Sequence, residues 1–153
     1  MIVKSGLLGE IEIDAQDIIH FAEGIPAFEE YKQYIIIPLD EKSPFYYLQS
    51  LQEPDLCLVI AHPFIFFPDY EIELNDEELQ SLHFQGDVRE LAIYVILTIP
   101  EDFRLTTANL LAPIVINPEN RQAMQYVTVN VKYSTRHLIF EPDKTAAAAR
   151  EGD

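Results

Sequence analysis

The sequence has one cysteine, no tryptophan and five glycines among 153 residues. Cys57 cannot form a disulfide within the chain, and its place in the apolar run LCLVIA indicates a small buried hydrophobic residue. So few glycines leave no glycine-rich phosphate-binding loop. The four histidines are scattered, without the spacing to another ligand that a zinc site requires. No enzyme class emerges, and we expect a non-enzymatic protein that needs no cofactor and no metal.

Long apolar runs and basic residues are also scarce. No segment reaches the roughly 18 to 20 uncharged apolar residues that cross a bilayer. The N-terminal sequence MIVKSGLLGEIEID has acidic residues too early for a signal peptide, so we expect a cytoplasmic protein. Ten Lys and Arg stand against 26 Asp and Glu, which gives a net charge of −16. Such a surface repels nucleic acid and anionic lipid and attracts basic partners, although an acidic surface that only confers solubility has the same composition.

Two patterns predict β-strands. Apolar and polar residues alternate in GEIEID, YEIEL and YVTVNVKY, which is typical of half-buried strands. In the last of these we expect Val127, Val129 and Val131 to face inward, and Thr128, Asn130 and Lys132 to face water. The continuous apolar runs YIIIPL, LCLVIAH and LAIYVILTI are typical of central strands, covered on both faces or sealed inside a barrel. Ten prolines, mostly at strand ends, suit many short strands.

These patterns predict an all-β-dominated fold with a few short helices. We expect one domain over residues 1–140, an antiparallel β-barrel that is closed or nearly closed. The alanine-rich segment 141–153 loses the aromatic and β-branched residues of the strands, so we predict a flexible C-terminal tail.

One helix is clearly signalled in LNDEELQSLH. Asn75 is a favourable N-cap, and Glu78 three residues later completes a capping box. Leu74 and Leu79 have the spacing of a hydrophobic staple across that helix start. Shorter helical turns are predicted at DAQD and PAFEEYK.

Acidic and aromatic residues in the central part of the chain have more than one interpretation. Asp69, Glu71 and Glu73 share one face of the predicted strand, where they could bind a divalent cation or form a charged, solvated edge. The aromatic cluster HPFIFFPDY is either part of the core or an exposed contact surface. In SPFYYLQS, either Tyr46 or Tyr47 must face outward if the strand alternates.

Five stretches together resemble the flagellar assembly factor family FliW, in the same order and over roughly residues 2–140. They are GEIEID, IIHFAEGIPAFEEYKQYIIIPLD, SPFYYLQSLQEPDLCLVIAHPFIFFPDYEIEL, VILTIPED and TTANLLAPIVINPENRQAMQYV. Family members often have Gly where this chain has Ala27, so we expect no positive-φ turn at that position. The stretch TANLLAPIVIN resembles a family hallmark in which a strand breaks at Pro113 and restarts as IVI. We expect Asn109 to hydrogen-bond backbone groups left unpaired at the break.

The resemblance implies a non-enzymatic regulator that switches between two protein partners. One is flagellin, and the other is CsrA, a small RNA-binding repressor of flagellin translation. A FliW-type protein released by flagellin would bind CsrA and relieve repression. We expect a monomer that does not itself contact nucleic acid or membrane. The residues predicted to contact a partner are acidic and aromatic: Tyr46, Phe67, Asp69, Tyr70, Glu71, Glu73, Asp76 and Glu77.

Two other functions are compatible with the sequence. A small-ligand-binding barrel would have a pocket of several hundred cubic ångströms facing Phe64 and Phe66. A carboxylate-based metal-dependent hydrolase would bring Asp and Glu side chains together at one metal site.

Overall fold

The computed structural model describes residues 1–129 and 132–140, and within them it contains eleven strands and two short α-helices. The predicted tail, residues 141–153, lies outside the described residues, so the domain boundary at residue 140 stays a prediction. The elements are β1 (Ile2–Ser5), β2 (Gly9–Glu12), β3 (Ile19–Phe21), β4 (Gln33–Pro38), β5 (Phe45–Ser50), β6 (Cys57–Ala61), α1 (Pro63–Phe66), α2 (Asp76–Ser81), β7 (Ala92–Thr98), β8 (Thr107–Ala108), β9 (Ile114–Asn117), β10 (Gln122–Gln125) and β11 (His137–Leu138).

Seven strands close into a barrel in the order β7-β6-β5-β4-β3-β10-β9, and β9 pairs with β7 to complete the ring. This confirms the predicted closed barrel. Every neighbouring pair is antiparallel except β3 and β10, which are parallel. β3 and β10 are far apart in the sequence, so no hairpin fixes their relative direction. β8 and β11 extend the sheet beyond β7, and β1 pairs with β2 in a separate hairpin.

The core has two parts. One cluster fills the barrel and draws side chains from all seven of its strands, including Phe21, Tyr34, Leu48 and Ile116. The second cluster, which we call the outer core cluster, includes Ile93, Val95 and Leu97 on the outer face of β7. Residues between α1 and β7 cover this outer face. The run LAIYVILTI is therefore apolar throughout because β7 is covered on both faces, as predicted.

The turn at Ala27 corrects two predictions. Ala27 has φ 76°, and the N–H of Phe28 donates to the carbonyl of Ile25 at 2.7 Å. Pro26 precedes Ala27, so the four residues form a turn of the type that has Pro at its second position and positive φ at its third. PAFEEYK is thus a turn instead of a helix. The turn forms with alanine at the position where family members often have glycine, because closure of the β3–β4 connection outweighs the local strain.

Two segments predicted as strands are not strands in their described residues. In YEIEL the predicted alternation of burial is present, with Tyr70, Ile72 and Leu74 inward, but no strand of the described residues pairs with the segment. In YVTVNVKY the phase is inverted over residues 127–129, because Val127 and Val129 are exposed and Thr128 is buried, whereas Lys132 is exposed as predicted. The N–H groups of Tyr126 and Thr128 donate to the carbonyls of Pro113 and Leu111, at 2.9 and 2.8 Å. This pairing decides which face turns inward. Residues 130–131 lie outside the described part of the chain.

The stretch TANLLAPIVIN breaks as expected between β8 and β9. The side-chain oxygen of Asn109 accepts a hydrogen bond from the N–H of Ala112 at 3.0 Å, which satisfies a backbone donor at the break. Asn117 is fully buried at the end of β9. Its amide nitrogen donates to the carbonyl of Leu82 at 3.0 Å and its oxygen accepts from the N–H of Glu119 at 3.0 Å. Asn117 thereby ties the end of α2 to the barrel.

α2 confirms the predicted capping box. The side chain of Asn75 accepts from the N–H of Glu78, and the carboxylate of Glu78 accepts from the N–H of Asn75, both at 3.1 Å. Leu74 and Leu79 each pack against the outer core cluster. The staple contact between them stays a prediction. DAQD forms a single 3-10 turn capped by Asp14. No helix within the described residues is both long and apolar enough to cross a membrane.

Candidate partner-binding surface

The predicted contact residues centre on the acidic segment, which we define as residues 69–77, between α1 and α2. Ile72 and Leu74 pack against the outer core cluster. Asp69, Glu71 and Glu73 alternate with the inward residues and are exposed. The segment is thus fixed to the barrel by its apolar side chains and presents its carboxylates to solvent.

The first turn of α2 continues this charge. Asp76 and Glu77 are exposed, and the positive end of the helix dipole favours carboxylates at this position. Six carboxylates lie between residues 69 and 78, with no Lys or Arg in that stretch of the sequence. The acidic segment is therefore a local concentration of the negative charge that the whole chain carries.

The structure separates the three predicted aromatic contacts. Tyr70 is only 5% exposed, and its hydroxyl donates to the carbonyl of Leu110 at 2.7 Å. Burial raises its pKa, since the charged form would lose solvation. Tyr70 therefore belongs to the core that supports the acidic segment, because its side chain has almost no surface to offer a partner.

Phe67 and Tyr46 lie in different surroundings. Phe67 is half-buried beside the acidic segment and meets the ring of His137 edge-on, with centroids 6.0 Å apart. Tyr46 packs with His62 and Tyr94 in a separate aromatic group. The structure thus brings Phe67 together with the acidic residues, and within the described residues no contact joins Tyr46 to them.

The cluster HPFIFFPDY divides between core and surface. Phe66 stacks on Phe45 with ring centroids 6.0 Å apart and packs against the outer core cluster. Phe64 is 45% exposed and Ile65 is 58% exposed on the short helix α1. The exposure of Ile65 had no signal in the sequence, because a four-residue helix is too short for a periodic pattern.

Three grooves flank the acidic segment. The first, of ≈ 410 Å³, separates it from residues 126–129. The second, of ≈ 500 Å³, is lined by Phe64, Val88 and Ile93 together with Glu71 and Glu73. The third, of ≈ 340 Å³, contains Phe67 and Asp69. The acidic segment is thus a charged ridge between partly apolar depressions.

The two other functions find little support in this geometry. Within the described residues, no group of three or more His, Cys, Asp or Glu side chains is arranged to hold a metal ion. Phe64 and Phe66, which a small-ligand pocket was expected to join, line two separate open grooves. The barrel interior is filled by side chains such as Phe21 and Tyr34.

Comparison with known proteins identifies the family. The family model described as FliW protein matches residues 2–139. The chain belongs to the FliW family. This confirms the resemblance carried by the five sequence stretches, including the one that contains Ala27.

Individual FliW relatives cover almost the whole chain. A protein of Syntrophomonas wolfei subsp. wolfei named flagellar assembly factor FliW is 51% identical over 157 aligned residues, which span 99% of this chain and all of the relative. A Geobacillus protein of the same name is 48% identical over 138 residues, 90% of this chain and 94% of the relative. A crystal structure of the flagellar assembly factor FliW superposes with a TM-score of 0.86 at 43% identity, covering 94% of this chain and 99% of the other.

Proposed function

We propose that this protein is a cytoplasmic, non-enzymatic flagellar assembly factor that switches between two protein partners. It binds flagellin while flagellin is retained in the cell. When flagellin is exported, the released protein binds the translational repressor CsrA and relieves repression of flagellin synthesis. The observation that carries the proposal is the 51% identity to a flagellar assembly factor over 99% of the chain.

The negative charge of the chain supports the proposal that one partner has a basic surface. An RNA-binding repressor presents Lys and Arg to phosphates. A chain of net charge −16, with six carboxylates concentrated between residues 69 and 78, attracts such a surface and accelerates its encounter. Once docked, the same charge repels RNA from the repressor without occupying the RNA site itself. Asp69, Glu71, Glu73, Asp76 and Glu77 are the proposed charged contacts.

An aromatic residue beside the acidic segment is also a proposed partner contact. We retain Phe67 as a proposed contact because it is half-buried beside Asp69. Tyr46 would belong to a second contact area with His62 and Tyr94. Tyr70 is omitted, since its hydroxyl is satisfied by Leu110 and its ring is buried.

Titration of charge variants with each cognate partner tests the proposal. The variant Glu71→Gln/Glu73→Gln removes two charges from the acidic segment. Its matched control, Glu10→Gln/Glu12→Gln, removes two exposed charges from the separate β1–β2 hairpin. We expect slower association with the repressor for the first variant, a much smaller change for the control, and rates that fall as salt screens the attraction. Equal effects of the two variants would remove Glu71 and Glu73 from the proposed surface.

Size-exclusion measurements add a further check. We propose that the free protein is a monomer, because like charges on two copies of such an acidic chain repel each other. A dimer at micromolar concentration in physiological salt would contradict this part of the proposal.

A further inference from the structure

Backbone groups along one edge of the segment 126–129 are hydrogen-bonded, and those along the other, open edge have no partner among the described residues. The N–H groups of Tyr126 and Thr128 donate to residues 113 and 111, so this edge continues the β9–β10 pairing. Successive residues of an extended chain direct their backbone groups to opposite edges. The backbone groups of Val127 and Val129 therefore point away from residues 111–113. Among the described residues, no hydrogen bond satisfies the N–H of either valine.

Tyr126, Thr128 and Val129 line one wall of a groove, and its opposite wall is an extended segment that pairs with no described strand. We call this space the edge groove. The N–H of Glu71 on that wall donates to the hydroxyl of Tyr133 at 2.9 Å. The N–H of Glu73, two residues later, has no partner among the described residues. The residues lining the edge groove are Glu71, Glu73, Leu74, Asn75, Tyr126, Thr128 and Val129.

Side chains around the edge groove define the chemistry of an occupant. Glu71 and Glu73 give one wall a negative charge. Partial burial and the charges of Glu78 and Glu73 raise the pKa of Tyr126 on the opposite wall. Val127 is 58% exposed and Val129 is 90% exposed, so the open edge also offers apolar contacts. Unpaired backbone groups, alternate valines and nearby carboxylates suit an extended segment that carries Lys or Arg.

We propose that the edge groove accepts an extended, basic segment of a partner protein, which pairs as an added strand with the open edge at Val127 and Val129. Backbone hydrogen bonds would supply affinity, and contacts of Lys or Arg with Glu71 and Glu73 would supply selectivity. This rests on the proposed function insofar as the segment belongs to one of the two proposed partners. A second copy of the chain is a poor occupant, because its net charge is also −16.

A peptide probe tests the pairing directly. The probe is an eight-residue peptide of alternating lysine and valine with blocked termini, labelled for fluorescence anisotropy. Its two controls are the same peptide N-methylated at alternate backbone nitrogens and an analogue with glutamate in place of lysine. We expect the parent peptide to bind, and each control to bind at least about tenfold more weakly, since removed hydrogen bonds or reversed charges weaken the pairing. Equal binding of the N-methylated peptide, or no binding of the parent, would overturn the proposal.

A matched pair of protein variants locates the edge. Val127→Pro removes the unpaired N–H without breaking a hydrogen bond of the fold, whereas Val127→Thr retains the N–H and a β-branched side chain. We expect about tenfold weaker peptide binding for the proline variant and little change for the threonine variant. Slower amide exchange at Val127 and Val129 in the complex of the unaltered protein provides a readout that does not depend on folding of a variant. Unchanged exchange at both amides, or peptide-induced dimerisation of the chain, would contradict the pairing.

Titration of the same variants with intact partners separates this inference from the proposed function. If the cognate repressor and flagellin both bind Val127→Pro as tightly as the unaltered protein, the added strand is wrong while partner switching stands. If the unaltered protein binds the peptide and neither intact partner, the edge stands and the proposed function fails. Selective loss of one partner from Val127→Pro, with Val127→Thr unaffected, supports both and identifies which partner supplies the strand.

Discussion

Tyr70→Phe distinguishes a structural from a partner-contacting role for this residue. The substitution keeps the ring and removes the hydroxyl that donates to the carbonyl of Leu110 at 2.7 Å. Leu110 is 1% exposed, so its carbonyl would stay buried, and no other described group donates to it. A buried acceptor left without a partner costs about 1–3 kcal/mol. We therefore expect Tyr70→Phe to lower the free energy of unfolding by about 2 kcal/mol and the Tm by roughly 5–8 °C.

Urea denaturation measures this effect, and Tyr46→Phe is the matched control. The hydroxyl of Tyr46 makes no hydrogen bond within the described part of the chain, so its removal should change the midpoint very little. We expect a lower midpoint with unchanged slope for Tyr70→Phe, because the same surface is exposed on unfolding. Affinity for both partners, measured well below the new Tm, should be retained. An unchanged midpoint together with lost affinity would refute the structural role and return Tyr70 to the contact surface.

Three further predictions concern the turn, the barrel interior and α2. Ala27→Gly should raise the free energy of unfolding, measured by urea denaturation, by roughly 0.5–1 kcal/mol, because relief of the positive-φ strain exceeds the entropy cost of glycine. The control Ala22→Gly, at an exposed position without positive φ, should be destabilising instead. Burial raises the pKa of Tyr34 to about 12, above its ordinary 10, so the unfolded chain releases this proton first and stability should fall between pH 10 and 12. Tyr34→Phe removes a buried hydroxyl that has no partner among the described residues, so it should change stability at pH 7 very little and reduce the alkaline loss of stability. A pH profile of stability identical to that of the unaltered protein would contradict the assignment of this loss to Tyr34. Asn75→Ala should cost about 1 kcal/mol through loss of the capping box, measured by urea denaturation, with no loss expected for Asn75→Ser or Asn75→Asp.

The elements that the sequence predicted best are those whose signal is local. The capping box needs only Asn75 and Glu78, so the start of α2 was predictable from four residues. The strand β7 was predictable because a long apolar run has few alternatives in a chain of this size. Closure of the barrel followed from the number of such runs, but the parallel pairing of β3 with β10 depends on contacts between distant segments.

Predictions failed where a distant partner decides the conformation. Over residues 127–129 of YVTVNVKY the alternation was right and its phase was wrong, because the hydrogen bonds from Tyr126 and Thr128 to residues 113 and 111 turn Thr128 inward. Ala27 adopts positive φ despite its own preference, since the closed turn between β3 and β4 imposes it. In these cases tertiary pairing outweighs local propensity.

The candidate site was partly predictable for the same reason. The exposure of Asp69, Glu71 and Glu73 follows from their alternation with apolar residues. An aromatic residue in such a segment fits both core and surface, so the burial of Tyr70 required knowledge of where Leu110 lies. The open edge at Val127 could not be predicted, because its recognition depends on which backbone groups other segments leave unpaired.

Calorimetric titration with the cognate CsrA-type repressor, before and after saturation of this protein with cognate flagellin, tests the central claim most directly. Partner switching predicts tight binding of the free protein to the repressor and little or no heat of binding once flagellin is bound. Binding to neither protein would contradict the proposed function. Undiminished repressor binding in the presence of saturating flagellin would contradict the switch.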